Sequence, residues 1–139
     1  MPLDAETQLG AVGPGADALN KVEAGVGDLE ERGDLASALR LYRRAVELAP
    51  DFADAHNNLG IAIEATGDHR QAIAHYRRAI AIDAENFSAH YNLGLALRSI
   101  GNSTEAVVHF RQALILAPDS DAARSNLQAA IARRQTLSR

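Results

Sequence analysis

The sequence predicts an all-α array of antiparallel helix pairs, and three observations carry that prediction. First, residue types recur at an interval of 34. Adding 34 takes His56 to His90, Asn58 to Asn92, Leu59 to Leu93, Gly60 to Gly94, Gly67 to Gly101, Ala72 to Ala106 and Ala79 to Ala113. Subtracting 34 from Gly67, Ala72, Tyr76 and Ala79 finds a worn copy at Gly33, Ala38, Tyr42 and Ala45. An internal period of that length marks a helical repeat. Second, apolar residues fall at helical spacing on both sides of a Gly-Asp or Gly-Asn dipeptide in each copy. Third, Pro50 and Pro118 stand where the second helix of a pair must stop, because proline lacks the N–H of the helical ladder and clashes with the preceding turn.

Residues 1–16 contain Pro2, Gly10, Gly13, Pro14 and Gly15. That composition ends helices and gains little by burial, so it reads as a flexible lead-in. An array is expected over 17–134, with repeats at about 19–52, 53–86 and 87–120, and a polar tail at 135–139. The first helix is expected from near Asp17, with Val22, Val26 and Leu29 on one stripe. Gly25 and Gly27 weaken it, each by roughly 1 kcal/mol relative to Ala. Gly33-Asp34 makes a turn, and Leu35 to Leu48 returns with Leu35, Ala38, Leu39, Tyr42, Ala45 and Val46 on one face.

The second pair follows the same pattern. Asp51 is the expected cap of a helix from about Ala53 to Thr66, since its carboxylate can accept from N–H groups of the first turn. Gly67-Asp68 turns the chain, and about Arg70 to Ile82 runs back. The third pair is Phe87 to Ile100, Gly101-Asn102, and Thr104 to Leu116. Asp119 is then expected to cap a last helix at about 121–134. Asn126 and Leu127 fall 34 after Asn92 and Leu93, but Gln128 replaces the Gly60 and Gly94 of the complete copies. A side chain there hinders a further helix from docking closely, which suits a solvating cap. Gly60, Gly94, Ala72, Ala79, Ala106 and Ala113 read as packing devices that let helix backbones approach, with Leu59, Leu93, Tyr76 and Phe110 filling the remaining space.

Composition narrows the function. A formal net charge of -4 leaves no broad cationic surface for phosphates, so nucleic acid is not an expected partner. There is no Cys, which rules out disulfides and thiolate metal sites and fits a reducing compartment. Asp4 and Glu6 stand where a secretory leader carries basic residues, and no run approaches the ~20 apolar residues that span a bilayer. A soluble cytoplasmic protein with no membrane partner is the expectation. No phosphate loop with Lys, HExxH, GxSxG elbow or Cys nucleophile occurs, so no catalytic residues and no cofactor are expected. His56 with His90, and His75 with His109, recur at 34 as packing positions; zinc needs three or four convergent ligands, so no metal site is expected. Arg43, Arg77 and Arg111 recur likewise, with Arg44 and Arg78 beside them. They read as a solvated outer face, with an acidic partner as the alternative.

The segments NNLGIAIEATGDHRQAIAHYRRAIAID and YNLGLALRSIGNSTEAVVHFRQALILAP resemble tetratricopeptide repeats. They share the Leu-Gly pair, the Gly-Asp or Gly-Asn turn, and the Ala, aromatic, Ala and Pro positions. The resemblance runs from Leu19 to about Arg134, with His56 and His90 at the usual Trp position, and Gly25-Val26 where the first copy should carry Leu-Gly. It implies a right-handed superhelical solenoid whose first helices line a concave groove. By that pattern the groove shows Asn20, Glu23, Ala24, Gly27 and Glu30, then Asp54, Asn57, Asn58, Ile61 and Glu64. Ser88, Tyr91, Asn92, Leu95 and Arg98 follow, and then Ala122, Ser125, Asn126, Ala129 and Arg133.

Within that groove Asn58, Asn92 and Asn126 form a ladder. An amide both donates and accepts, so a row of them can hold the backbone of an extended peptide; the alternative is hydrogen bonding within the array. The ladder resembles the asparagine array of the O-linked N-acetylglucosamine transferases. Asn57, Ile61, Glu64, Tyr91, Leu95 and Arg98 complete the candidate site. Charge runs from Glu23, Glu30, Asp54 and Glu64 to Arg98 and Arg133, which would orient a ligand with a basic front and an acidic end. The expected function is a binding or scaffolding module for a protein or peptide. Alternatives are a partner-binding domain of a larger glycosyltransferase, sulfotransferase or methyltransferase, and weak self-association that completes the first helix.

Overall fold

The computed structural model describes residues 33–137, and the expected lead-in and first helix lie outside the described residues. Six helices and no strand occur among the described residues: α1 Leu35–Leu48, α2 Ala53–Glu64, α3 His69–Ile82, α4 Phe87–Ser99, α5 Ser103–Leu116 and α6 Asp121–Leu137. Each packs chiefly on its neighbours in sequence, while α2 also touches α4 and α4 touches α6. The first helices of successive pairs therefore form a row of their own.

The turn dipeptides do two jobs. Gly33, Gly67 and Gly101 take φ of +75°, +88° and +85°, the left-handed region in which a β-carbon is disfavoured. The next residue then caps the following helix. Asp34 accepts from Ser37 N at 3.0 Å, Asp68 from Gln71 N at 3.1 Å and Asn102 from Glu105 N at 3.2 Å. Two expected caps are corrected. Phe52, not Asp51, is the residue before α2, and no side chain caps it. At α6 it is Ser120 Oγ, not Asp119, that accepts from Ala123 N at 3.1 Å. A cap must stand next to the first turn to reach the second or third N–H of the helix: Ser120 does so at α6, whereas at α2 that place is taken by Phe52, which has no acceptor.

Small residues set the spacing of the pairs. A β-carbon built on Gly60 would lie 2.5 Å from the Tyr76 ring, and one on Gly94 would lie 2.6 Å from the Phe110 ring. Glycine thus makes the socket and the aromatic of the partner helix fills it. Tyr76, Phe110, Ile63, Leu93, Leu97 and Val107 are the largest enclosed side chains, and Ala38, Ala45, Ala72, Ala79, Ala106 and Ala113 are fully buried. Each enclosed large side chain contributes about 1.5–3 kcal/mol of transfer free energy. Helix α6 buries Ala123 and Ala130 against the array, while Gln128 is exposed.

Candidate functional site

The row formed by α2, α4 and α6 carries a chain of hydrogen bonds between successive first helices. Asn92 Nδ2 donates to Asn57 Oδ1 at 3.1 Å, and Asn126 Nδ2 donates to the Tyr91 hydroxyl at 3.1 Å. Both links span 35 residues, one more than the period, so each asparagine reaches back to the preceding helix. Asn126 also donates to its own Ala122 carbonyl at 2.9 Å, and Arg98 Nη1 donates to Asn126 Oδ1. Asn57 is only 5% exposed. A buried amide has to be hydrogen-bonded, and here the partner is the next repeat.

Five of the expected site residues, Asn57, Tyr91, Asn92, Arg98 and Asn126, thus fall into this row. The ladder is not a set of amides simply displayed to solvent. Asn92 and Asn126 each use one N–H group in bridging, and Asn126 spends a second bond on the Ala122 carbonyl of its own helix, so their first task is to tie neighbouring pairs together. Asn58 is half-buried on the same helix as Asn57. Ile61 is 45% exposed beside an apolar hollow of about 240 Å³ walled by Gly33, Leu35, Ala62 and Ala65. Leu95 is half-buried against the core.

Glu64 is held at the end of its helix. Both of its oxygens lie 3.1 Å from His69 Nδ1 across the Gly67 turn. Burial, and then the nearby Glu64 carboxylate, push the Tyr76 phenol well above its usual range. Asp54 accepts from Asn86 Nδ2 at 3.1 Å, a link between the start of α2 and the residue that caps α4. Phe87 stacks on Tyr91 at 5.8 Å, and Tyr91 meets the edge of Phe110 at 6.0 Å. This aromatic string, which sequence reading had not assembled, fixes the Tyr91 hydroxyl for Asn126. The outer arginines are exposed, and Arg77 bonds both oxygens of Glu105 at 2.9 and 3.1 Å.

The histidines that recur at 34 pair across each helix seam instead, His56 on His75 and His90 on His109. No group of three or more His, Cys, Asp or Glu able to hold a metal occurs among the described residues. No helix among them is long and apolar enough to cross a membrane.

A family model described as TPR repeat matches residues 29–67 and 64–101, and one described as tetratricopeptide repeat matches 87–120. Among solved structures, a mutant O-GlcNAc transferase of Thermobaculum terrenum is 29% identical with a TM-score of 0.76. That match covers 86% of this chain but 23% of the transferase, so the chain spans less than a quarter of that protein. The Sgt2 TPR domain of Aspergillus fumigatus is 21% identical, with a TM-score of 0.80 over 86% of this chain and 81% of that one. The second TPR domain of human RPAP3, solved with the HSP70 peptide SGPTIEEVD, is 20% identical, with a TM-score of 0.76 over 84% and 97%. No curated protein matches the sequence.

Proposed function

The chain belongs to the tetratricopeptide repeat family, and from that premise we propose that it holds an extended peptide or partner segment along α2, α4 and α6, without catalytic chemistry of its own. The observation that carries this reading is the hydrogen-bonded row from Asn57 to Asn126. A row tied helix to helix is already ordered before a ligand arrives, so less conformational entropy is lost on binding. Asn58, Ile61 and Leu95 supply polar and apolar contacts beside it. Asp54 and Glu64 toward one end, with Arg98 and Arg133 toward the other, orient the ligand. The human RPAP3 domain solved with a peptide is a precedent for such use of the fold. Repeats at 19–52, 53–86 and 87–120, closed by the last helix, are the units of this reading, and the Cys-free composition suits a cytoplasmic setting.

A peptide-array screen with the full chain and with an Asn58→Ala/Asn92→Ala/Arg98→Ala variant of matched melting temperature tests the proposal. Loss of about three hydrogen bonds should weaken capture ~10–100-fold. Equal capture would move the site to the outer Arg43, Arg77 and Arg111 face. A second reading, the partner-binding domain of a larger enzyme, is favoured by the 29% identity to the Thermobaculum terrenum transferase. A catalytic domain encoded after Arg139 in the parent reading frame would establish it.

A further inference from the structure

Two stacked histidine pairs recur through the array, and they are not chemically equal. His56 of α2 and His75 of α3 have ring centroids 5.9 Å apart, and His90 of α4 and His109 of α5 are 5.4 Å apart. A backbone carbonyl only accepts. His56 Nε2 lies 3.0 Å from Pro50 O and His90 Nε2 lies 2.9 Å from Ala84 O, so each neutral ring carries its proton on Nε2. Nδ1 is then an acceptor in both.

In the later pair that acceptor is answered. His109 Nδ1 lies 3.1 Å from His90 Nδ1 and must be the donor, which leaves the His109 lone pair on Nε2. That nitrogen lies 3.7 Å from Glu105, so a proton arriving there meets a carboxylate. In the earlier pair His56 Nδ1 is buried with no hydrogen-bond partner. Gln71 stands one period before Glu105, at the same place in the earlier copy. The charged and titratable groups facing each ring follow the same division. His75 faces His56 from α2 and Arg43 from α1, both opposing a proton. His109 faces His90 from α4 and Arg77 from α3, and also Glu105 on its own helix, which favours one. Among the described residues no group of α4 adds to the first set and none of α6 to the second.

We propose that the array is built to open in acid, and that it opens first at the seam between α2 and α3, where a protonated ring meets an imidazole and a guanidinium with no carboxylate to receive it. Burial, then His56, then Arg43 hold the His75 imidazole below its ordinary 6.5. Burial and then His90 do the same for His109, partly offset by Glu105. A base whose folded value is lowered binds fewer protons folded than unfolded. Its stabilising contribution is therefore present above about 6.5 and is lost as pH falls from there through the lowered folded value.

The test follows the melting midpoint of the full chain between about pH 7.5 and 5, alongside Gln71→Glu and Glu105→Gln. The native midpoint should fall by on the order of 5 °C. Gln71→Glu should flatten the fall and Glu105→Gln should steepen it; only the slope with pH is read, so a constant offset from the substitution does not enter. Amide exchange near pH 5.5 should quicken in α2 and α3 before α4 and α5. A midpoint independent of pH, a slope indifferent to Gln71→Glu, exchange in the reverse order, or His75 titrating at or above 6.5 by NMR would each overturn the proposal.

Discussion

The α2/α3 and α4/α5 pairs are copies in volume and strangers in charge. Gly60 meets Tyr76 as Gly94 meets Phe110, and Ala72 and Ala79 are sealed like Ala106 and Ala113. Asp68 caps its helix as Asn102 does. On the outer edge, Gln71 has become Glu105, and only the later copy carries the bond from the preceding pair's arginine to this position. Close packing leaves no latitude for volume, since each interface must fit both neighbours. Exposed charge is screened by water and free to drift.

If the two pairs are mechanical copies, matching substitutions should cost alike. The largest effects should come from Phe110→Ala and Tyr76→Ala, about 3–5 kcal/mol each by urea unfolding. A gap between them beyond about 1 kcal/mol would break the equivalence. Gly94→Leu and Gly60→Leu should follow at on the order of 1–3 kcal/mol from overpacking. Combining Gly94→Leu with Phe110→Ala should cost less than the sum of the single changes, because the deleted ring vacates the space the new side chain needs. Cap deletion by Asp68→Ala or Asn102→Ala should cost about 1 kcal/mol each.

Glu105→Gln should have the smallest effect at neutral pH. The Arg77 and Glu105 side chains are 54% and 35% exposed, so the pair contributes roughly 0.2–1 kcal/mol. That cost should shrink in 1 M salt, where charges are screened within about 3 Å. Unlike the others it has no counterpart at Gln71, and this marks where the likeness of the copies ends.

The reading from sequence reached the helices and turns because their causes are local. Gly67-Asp68 specifies a left-handed turn and a cap through two adjacent residues, and Pro118 ends a helix wherever it folds. Helix α3 begins at His69 and α5 at Ser103, each one residue before the expected start, because the capping Asp68 and Asn102 immediately precede them. The candidate site was legible only as a face. Asn92 and Asn126 could be placed on one side of the array from the period, but whether an amide turns to a ligand or to the next helix depends on what stands opposite it. The signal was present in Asn57 followed by Asn92 and Tyr91 followed by Asn126, pairs offset by 35 and not 34. The histidine seams were missed similarly, by comparing like positions in successive copies instead of facing positions within one.

By itself, then, the sequence determined the unit, its repetition and the core-facing side of the described helices, since these rest on backbone preferences and on a period the chain displays. Only the tertiary structure decided which polar groups are spent on holding the array together. Hydrogen bonds and ring contacts act over about 3 to 6 Å between residues 19 to 35 positions apart, and that proximity exists only once the helices have packed.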